Sequence, residues 1–465
     1  MQIGRKDVVW NFVATSMRIA SGLIVLPLVL HLLPTQEVGL WNIFITIGSL
    51  ATLLDFGFSN SFSRNITYIF GKAKLLKKKG YEVIDNEDKS IDYGLLKSVI
   101  AAMRRYYGIL AAIFLILFFV ASPFYLTNIL QKYTGNKTEV WISWLIYGIL
   151  VAYQLYTFYY SAILTGRGYI RKLNQIIIIG QTCRIVFSAV FLLLGFGLIS
   201  LVIGQFVSDI INRSLCYFSF YDPEIRQNLK SAIQIPVREI MEIMTPNAVK
   251  IGFTTIGSFL IGKSIIIIAP LYLTLADIAS YGTTKQMIEL IMSLSVIWFS
   301  TFYQKITIHR VNEEMVDIKR MFIKGNLAMI AIFIICGIGL IIIGPSLMLI
   351  IHSKTQLLST IMIIVLLVSA FLDSNQNMAT SLLLTGNEVP FMKSTFISGI
   401  LSFLILLFCL NFTHLGIWGM IISPAIALLI YSSWKWPYVI SKQLDIHPSN
   451  YITIISTIFS EVKNK

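Results

Sequence analysis

The sequence predicts an all-α integral membrane protein: about twelve transmembrane helices in two homologous six-helix bundles, with the N and C termini on the cytoplasmic side. Three observations carry that expectation. Of the 465 residues, 56% are hydrophobic and 13% charged, and the apolar ones form blocks of about 20, the length a helix needs to cross a ~30 Å hydrocarbon layer. The blocks lack the alternation of a barrel strand, and within lipid a helix satisfies its backbone inside one segment. Finally, the chain repeats itself. Laid without gaps onto Leu273 to Lys305, the stretch from Leu33 to Asn65 matches Glu37 with Asp277, Val38 with Ile278, Gly39 with Ala279, Trp41 with Tyr281 and Phe62 with Phe302. A second pair, Ser161 to Gly166 against Ser381 to Gly386, agrees at another offset.

The net charge of +14 reports topology. Lys and Arg gather in alternate loops, the positive-inside bias, and no nucleic-acid partner is expected. The apolar run after Arg5 and Lys6 is too long for a signal-peptide core and lacks a small-residue cleavage site. Cys183, Cys216, Cys336 and Cys409 each sit in a separate apolar block and read as free thiols without a disulfide or metal role.

Taken in order, residues 1–221 form the N-terminal bundle. Its first helix (Val8 to Leu32) and second (Leu40 to Ile69) meet at an outer turn through Pro34 and Gly39. A basic excursion follows, from Lys72 and Lys74 to Arg104 and Arg105, read as a cytoplasmic surface touching anionic membrane lipids. Helices at Tyr106 to Leu126 and Trp141 to Leu164 join outside through Lys132, Gly135 and Asn136; those at Leu173 to Leu194 and Leu198 to Tyr221 join at Gly195-Phe196-Gly197. Residues 222–246, punctuated by Pro223 and Pro236, read as a cytoplasmic linker. Residues 247–440 repeat the scheme as the C-terminal bundle. In the tail, residues 441–465, Ile452, Ile455, Phe459 and Val462 recur at the spacing of an amphipathic surface helix.

Charges inside the spans are the candidate functional residues, because each costs ~2.5–3.5 kcal/mol at mid-bilayer and must face protein or water. Arg18 shares a helical stripe with Asn11, Thr15 and Gly22; Lys250 shares a similar one with Asn247, Thr254 and Ser258. With Arg184 and Lys285 they make the candidate anion-binding set, since Arg grips phosphate bidentately and Lys supplies a movable point charge. Lys263 lies deeper in the Lys250 helix on another face. Glu289 lies one turn from Lys285 and Asp209 one turn from Arg213, so both acids read equally as structural partners or as functional groups. Asp55 and Asp373 lack such neighbours; binding Na⁺ or a proton and answering Arg18 as counter-charge are equal readings. Pro27 and Pro270, toward the outer ends of matched helices, are candidate gate hinges. Tyr147, Tyr153, Tyr156, Tyr159 and Tyr160 surround Gln154; interface belt or core is favoured over sugar stacking.

The run Glu37-Val38-Gly39-Leu40-Trp41, then Leu53-Leu54-Asp55-Phe56-Gly57-Phe58 and Arg64, with Leu164-Thr165-Gly166 later, resembles the polysaccharide repeat-unit flippases, the Wzx group of the multidrug/oligosaccharidyl-lipid/polysaccharide exporter (MOP) superfamily. The resemblance covers essentially the whole chain in helix count and topology. It implies a MATE-like pair of six-helix bundles around a cationic cavity in the bacterial inner membrane. By alternating access these would move an undecaprenyl-diphosphate-linked oligosaccharide between leaflets, for O-antigen, capsule or exopolysaccharide assembly. It implies a monomer associated with polysaccharide polymerase machinery and no cofactor beyond Na⁺ or H⁺ coupling. Lipid II flippases usually carry further C-terminal helices, and no thirteenth is visible here.

Two rivals stay open. A cation-coupled multidrug exporter of the same superfamily calls for a more acidic cavity. A membrane polymerase or glycosyltransferase calls for catalytic groups on a sizeable outer loop, whereas the outer loops here are short and poor in carboxylates. No nucleotide-binding loop, metal-ligand cluster or nucleophile arrangement is visible, and His31, His309, His352, His414 and His447 are scattered, so an enzyme is not expected.

Overall fold

A computed structural model describes residues 24–71, 91–311, 313–385, 389–413 and 415–463, together with Trp10 and Met17; a few side chains inside its helices, that of Lys250 among them, fall outside the description. The described residues are helical with no strand. In order they are α1 (24–32), α2 (Thr35–Gly48), α3 (Leu50–Leu54), α4 (Phe58–Phe70), α5 (Tyr93–Leu130), α6 (Lys137–Tyr156), α7 (Tyr159–Gly166), α8 (Ile170–Leu193), α9 (Ile199–Phe220) and α10 (Pro223–Ser231). Then come α11 (Val237–Gly262), α12 (Ser264–Ile268), α13 (Leu275–Ser295), α14 (Ile297–Val311), α15 (Met315–Ile350), α16 (Thr360–Leu384), α17 (Met392–Phe412), α18 (Ile417–Ile430), α19 (Ser432–Gln443) and α20 (Pro448–Lys463).

Among the described residues, eight helices are long and apolar enough to cross a membrane, or ten if each of two bent pairs is one span. The chain is a multi-pass membrane protein. Two of the twelve expected spans fall outside that count for identifiable reasons. The first is described only from residue 24, and α9, though 22 residues long, carries Asp209 and Arg213.

The chain divides into two compact units, Met1–Thr255 and Ile256–Lys465. In the first, the core is aromatic: Phe44 on α2 meets Trp144 edge-on with centroids 5.0 Å apart, and Trp41 meets Tyr147 at 5.9 Å. Helices approach closely where a side chain is missing. A Cβ on Gly166 would lie 2.6 Å from the Cβ of Ile66, so the Gly166 of the Leu164-Thr165-Gly166 motif lets α7 lie against α4. On the α8/α9 seam, a Cβ on Gly204 would overlap Ser188 and one on Gly180 would overlap Asn212. The segment read as a linker packs with this unit: Lys97 Nζ on α5 donates to the Ala232 carbonyl (2.8 Å), and Ile235 N donates to Ser98 Oγ (2.7 Å).

In the second unit a core of Phe299, Phe322, Met378, Leu382, Trp436 and Ile440 joins α14, α15, α16 and α19. Gly399 on α17 and Gly257 on α11 let two backbones touch, a Cβ on Gly399 falling 2.6 Å from the Gly257 carbonyl oxygen. The tail helix α20 lies against α15, and Lys319 near the start of α15 donates to the Asp445 carbonyl in the turn before α20.

The internal repeat has a structural signature. In the N-terminal unit the second span breaks at Asp55-Phe56-Gly57; in the C-terminal unit the matching span breaks at Val296, with a 46° bend. Phe56 and Val296 are related by the same offset that aligns Glu37 with Asp277. Breaks at matched positions are what a duplicated architecture gives. Of the second aligned pair, α7 ends at Gly166 and α16 at Leu384, while Gly386 lies outside the described residues.

Candidate substrate and coupling sites

In the N-terminal unit two polar clusters sit within apolar helices. The first is built on the break between α3 and α4. Phe56 (φ 50°) and Gly57 (φ 72°) take left-handed conformations, comfortable for glycine and strained for phenylalanine. The break frees the first N–H groups of α4, and the buried Asp55 carboxylate accepts one of them, Ser59 N, at 3.1 Å, as a helix cap does. A further hydrogen bond comes from Tyr107 Oη on α5 (2.5 Å), and Tyr106 Oη donates to the Asp55 carbonyl (3.3 Å). Asp55 is thus fastened to two elements, α4 and α5.

The second cluster joins α6, α8 and α9. Gln205 and Asp209 lie one turn apart on α9, and Gln205 Nε2 donates to Asp209 Oδ1 at 3.0 Å. Gln154 Nε2 reaches the other oxygen from α6 at 2.5 Å. Arg184 Nη1 on α8 donates to Gln205 Oε1 at 3.5 Å. Gln205 therefore stands between the cation and the acid, giving its N–H₂ to Asp209 and its carbonyl to Arg184. The one-turn pair expected between Asp209 and Arg213 does not form: both oxygens of Asp209 are occupied by glutamine amides, and the buried Nε of Arg213 has no hydrogen-bond partner among the described residues.

The C-terminal unit handles its charges differently. Lys263 sits between α11 and α12, where the chain bends by 54°, and its ammonium meets Glu289 on α13 at 3.2 Å. This corrects the expected Lys285–Glu289 pair. One-turn spacing permits a pair but does not compel it, and the bend brings a competing cation from a neighbouring helix. Lys285, half-buried on α13, makes no ion pair among the described residues; its field reaches Asp373 on α16, which hydrogen-bonds with Asn377. Beside it, Asn326 on α15 donates to Asn375 Oδ1 at 2.9 Å.

Two other expectations meet the structure here. Pro270 lies in a 3₁₀ turn, Ala269–Leu271, at its first turn, where the missing N–H costs nothing; the bend of this span lies earlier, at Lys263. Pro27 lies within α1. Arg18 and the Lys250 side chain lie outside the described residues. Of the five tyrosines around Gln154, Tyr147 and Tyr159 are buried while Tyr153 and Tyr156 are exposed. The residues that sequence reasoning left in the background are Gln205, Tyr107 and Lys263. Their signal was available, because an amide or ammonium inside an apolar block needs a partner.

Two further clusters lie at helix ends. Arg167 after α7 reaches Asp222 Oδ2 (2.9 Å) and the Phe220 carbonyl (3.1 Å) and covers the Tyr169 ring at 4.4 Å. The Asp222 carboxyl is held below the usual carboxylate range by the Ile225 N–H at the start of α10, with Arg167 adding to it. At the turn between α14 and α15, His309, Glu314 and Asp317 place ligand atoms within 4.8 Å of one another, but His309 Nδ1 is already engaged by Glu314 and the two acids are exposed.

No protein-family model matches the sequence, and no curated protein matches it. The fold, however, has solved counterparts. It is similar to an inward-facing multidrug-resistance MATE-family transporter of the MOP superfamily, with 14% identity, 96% of each chain covered and a TM-score of 0.60. It is similar as well to a MOP-superfamily transporter from Pyrococcus furiosus described as having a binding pocket of reversed polarity (14% identity, 95% of this chain and 96% of that one, TM-score 0.56). The lipid II flippase MurJ, in an inward closed conformation, is a third (12% identity, 96% of this chain and 89% of that one, TM-score 0.61). At such identities the likeness defines the fold, which is that of MOP-superfamily transporters.

Proposed function

We propose that this protein is a transporter and that its cargo is an undecaprenyl-diphosphate-linked oligosaccharide, flipped across the bacterial inner membrane by alternating access. One observation carries the choice of an anionic cargo. Each unit keeps at least one cation within a span, Arg184 in the first and Lys285 in the second, with no carboxylate in ion-pair contact among the described residues. A buried ion pair would leave such a charge satisfied; a cation held beside an acid but not paired to it retains donors for a passing diphosphate or acidic sugar. Arg18 and Lys250 belong to the same proposed set. Asp55, Asp209, Glu289 and Asp373 supply counter-charge or the site of Na⁺ or H⁺ coupling.

The test is to delete the gene in its host and follow surface polysaccharide and the undecaprenyl-linked pool, restoring wild type, Arg184→Gln with Lys285→Gln, or Arg18→Ala with Lys250→Ala. Loss of surface glycan with complete repeat units on the inner leaflet, unrescued by either double variant at normal expression, is the expected result. Full rescue by both variants would sink the anion-site assignment. A second reading, a cation-coupled multidrug exporter, is favoured by the buried carboxylates on α9 and at the α3/α4 break and by the MATE-family counterparts. It requires unchanged glycan and new sensitivity to cationic drugs in the same deletion strain.

A further inference from the structure

The second unit has a groove on its surface that belongs to neither cluster above. It lies between α17 and the α18–α19 pair, where Tyr431 (φ −143°, ψ −54°) leaves helical geometry and separates the two helices, and it encloses about 460 Å³. Its walls are hydrocarbon: Ile397 and Leu401 from α17, Ile430 from α18. Its mouth is basic. Lys393 stands exposed in the first turn of α17, and half-buried Lys435 on α19 lies 4.2 Å from the Tyr431 ring centroid and 5.1 Å from that of Trp436. Trp436 is held in turn by its Nε1–H bond to Ser394 Oγ at 3.2 Å. Neither lysine makes an ion pair with a carboxylate among the described residues.

Two features say what covers this groove. Its α17 wall continues along the helix into the exposed Leu404 (55%) and Phe408 (58%), a face that in a membrane-spanning chain meets acyl chains. Beside its mouth stand exposed Trp434 and Tyr438, the residue types that gather at headgroup depth. That mouth lies at the basic end of the unit, the end where Lys319 of α15 meets the α19–α20 turn. From the juxtaposition of two unpaired ammonium groups and a hydrocarbon trough at that depth, we infer a binding site for a single anionic phospholipid. Its phosphate sits between Lys393 and Lys435, and one acyl chain lies along Ile397, Leu401 and Ile430. Cation–π contact and the fixed Trp436 hold Lys435 in place for the headgroup, which a freely rotating surface lysine is not. The site stands independently of the transported cargo.

The test is lipid retention. The protein, reconstituted in nanodiscs of phosphatidylcholine with a minor fraction of phosphatidylglycerol, is released in the mass spectrometer and its retained lipids counted. Wild type is expected to keep one phosphatidylglycerol in preference to phosphatidylcholine. Lys393→Gln with Lys435→Gln should lower that preference about tenfold or more, whereas the paired Lys→Arg variant keeps it. Leu401→Trp, which fills the trough and leaves both lysines, should lose the lipid as well. Unchanged retention in the double Gln variant or in Leu401→Trp would overturn the site. So would an equal loss in the charge-matched Lys132→Gln, Lys137→Gln control, which would make the effect one of bulk surface charge. Displacement of the retained lipid from wild type by soluble glycerol phosphate would assign the mouth to a free anion and overturn the lipid; resistance to it supports the lipid. That last measurement needs no variant to fold.

Discussion

The two units solve the same problem, charge within an apolar helix bundle, in opposite ways. In the N-terminal unit the acid is buried and its neighbours are amides: Asp209 takes hydrogen bonds from Gln154 and Gln205, and Arg184 reaches it only through Gln205. In the C-terminal unit Lys263 and Glu289 meet directly at 3.2 Å, with side chains 35% and 40% exposed. A charge wrapped in amides is satisfied without being neutralised, so its network is rigid and sensitive to losing any member. A direct ion pair is the reverse: the two charges neutralise each other through a single contact. The difference makes the N-terminal cluster a network that joins three helices around Arg184, and it leaves Lys285 outside the C-terminal pair, with no ion pair among the described residues.

The comparison can be broken by mutation. The largest effect is expected for Asp209→Ala, which strands two glutamine amides at once; thermal unfolding in detergent should show a loss of about 2–6 kcal/mol, at about 1–3 kcal/mol for each donor left unsatisfied. A loss below ~1 kcal/mol would mean that water already serves these groups. Next comes Tyr107→Phe, which deletes one hydrogen bond to a buried carboxylate and should cost about 1–3 kcal/mol by the same assay. Glu289→Gln keeps a hydrogen-bond acceptor for Lys263 in a half-buried contact and should cost about 1 kcal/mol; an effect as large as that of Asp209→Ala would erase the distinction between the units.

The smallest effect is expected at Asp222. Its folded pKa is depressed, so the stability it contributes is present above the unfolded value near 3.8 and is lost as pH falls through the lower folded value. Asp222→Asn should therefore differ from wild type by less than ~1 kcal/mol at neutral pH, and the two melting curves should converge on acidification below about pH 4. A gap that widens with acid would reverse the sign.

Much of the architecture was legible from sequence because span length and charge placement are set by the bilayer, a solvent common to every segment. The repeat was legible for a related reason: Glu37 and Asp277 both open a helix after a turn, and that local chemistry survives divergence. Partner choice was not. Glu289 has a lysine one turn away on its own helix, yet it pairs with Lys263, because a 54° bend elsewhere in the chain brings that ammonium within reach. The bend of the span that carries Pro270 was not legible for a comparable reason. A proline within the first turn of a helix continues the chain without strain, and the span bends instead at Gly262-Lys263, where no Cβ on the glycine would meet a neighbour.

The sequence alone determined that this chain crosses the membrane many times, that its two halves are copies of one plan, and which side chains are too polar for lipid. These follow from transfer free energies and periodicity, properties of a segment by itself. Only the tertiary structure decided which charge meets which: that Asp55 caps a broken helix, that Gln205 separates Arg184 from Asp209, that Lys435 is posed over Tyr431 and Trp436. A hydrogen bond or ion pair depends on ångström distances between helices far apart in the chain, and those distances are fixed by glycine contacts, bends and breaks.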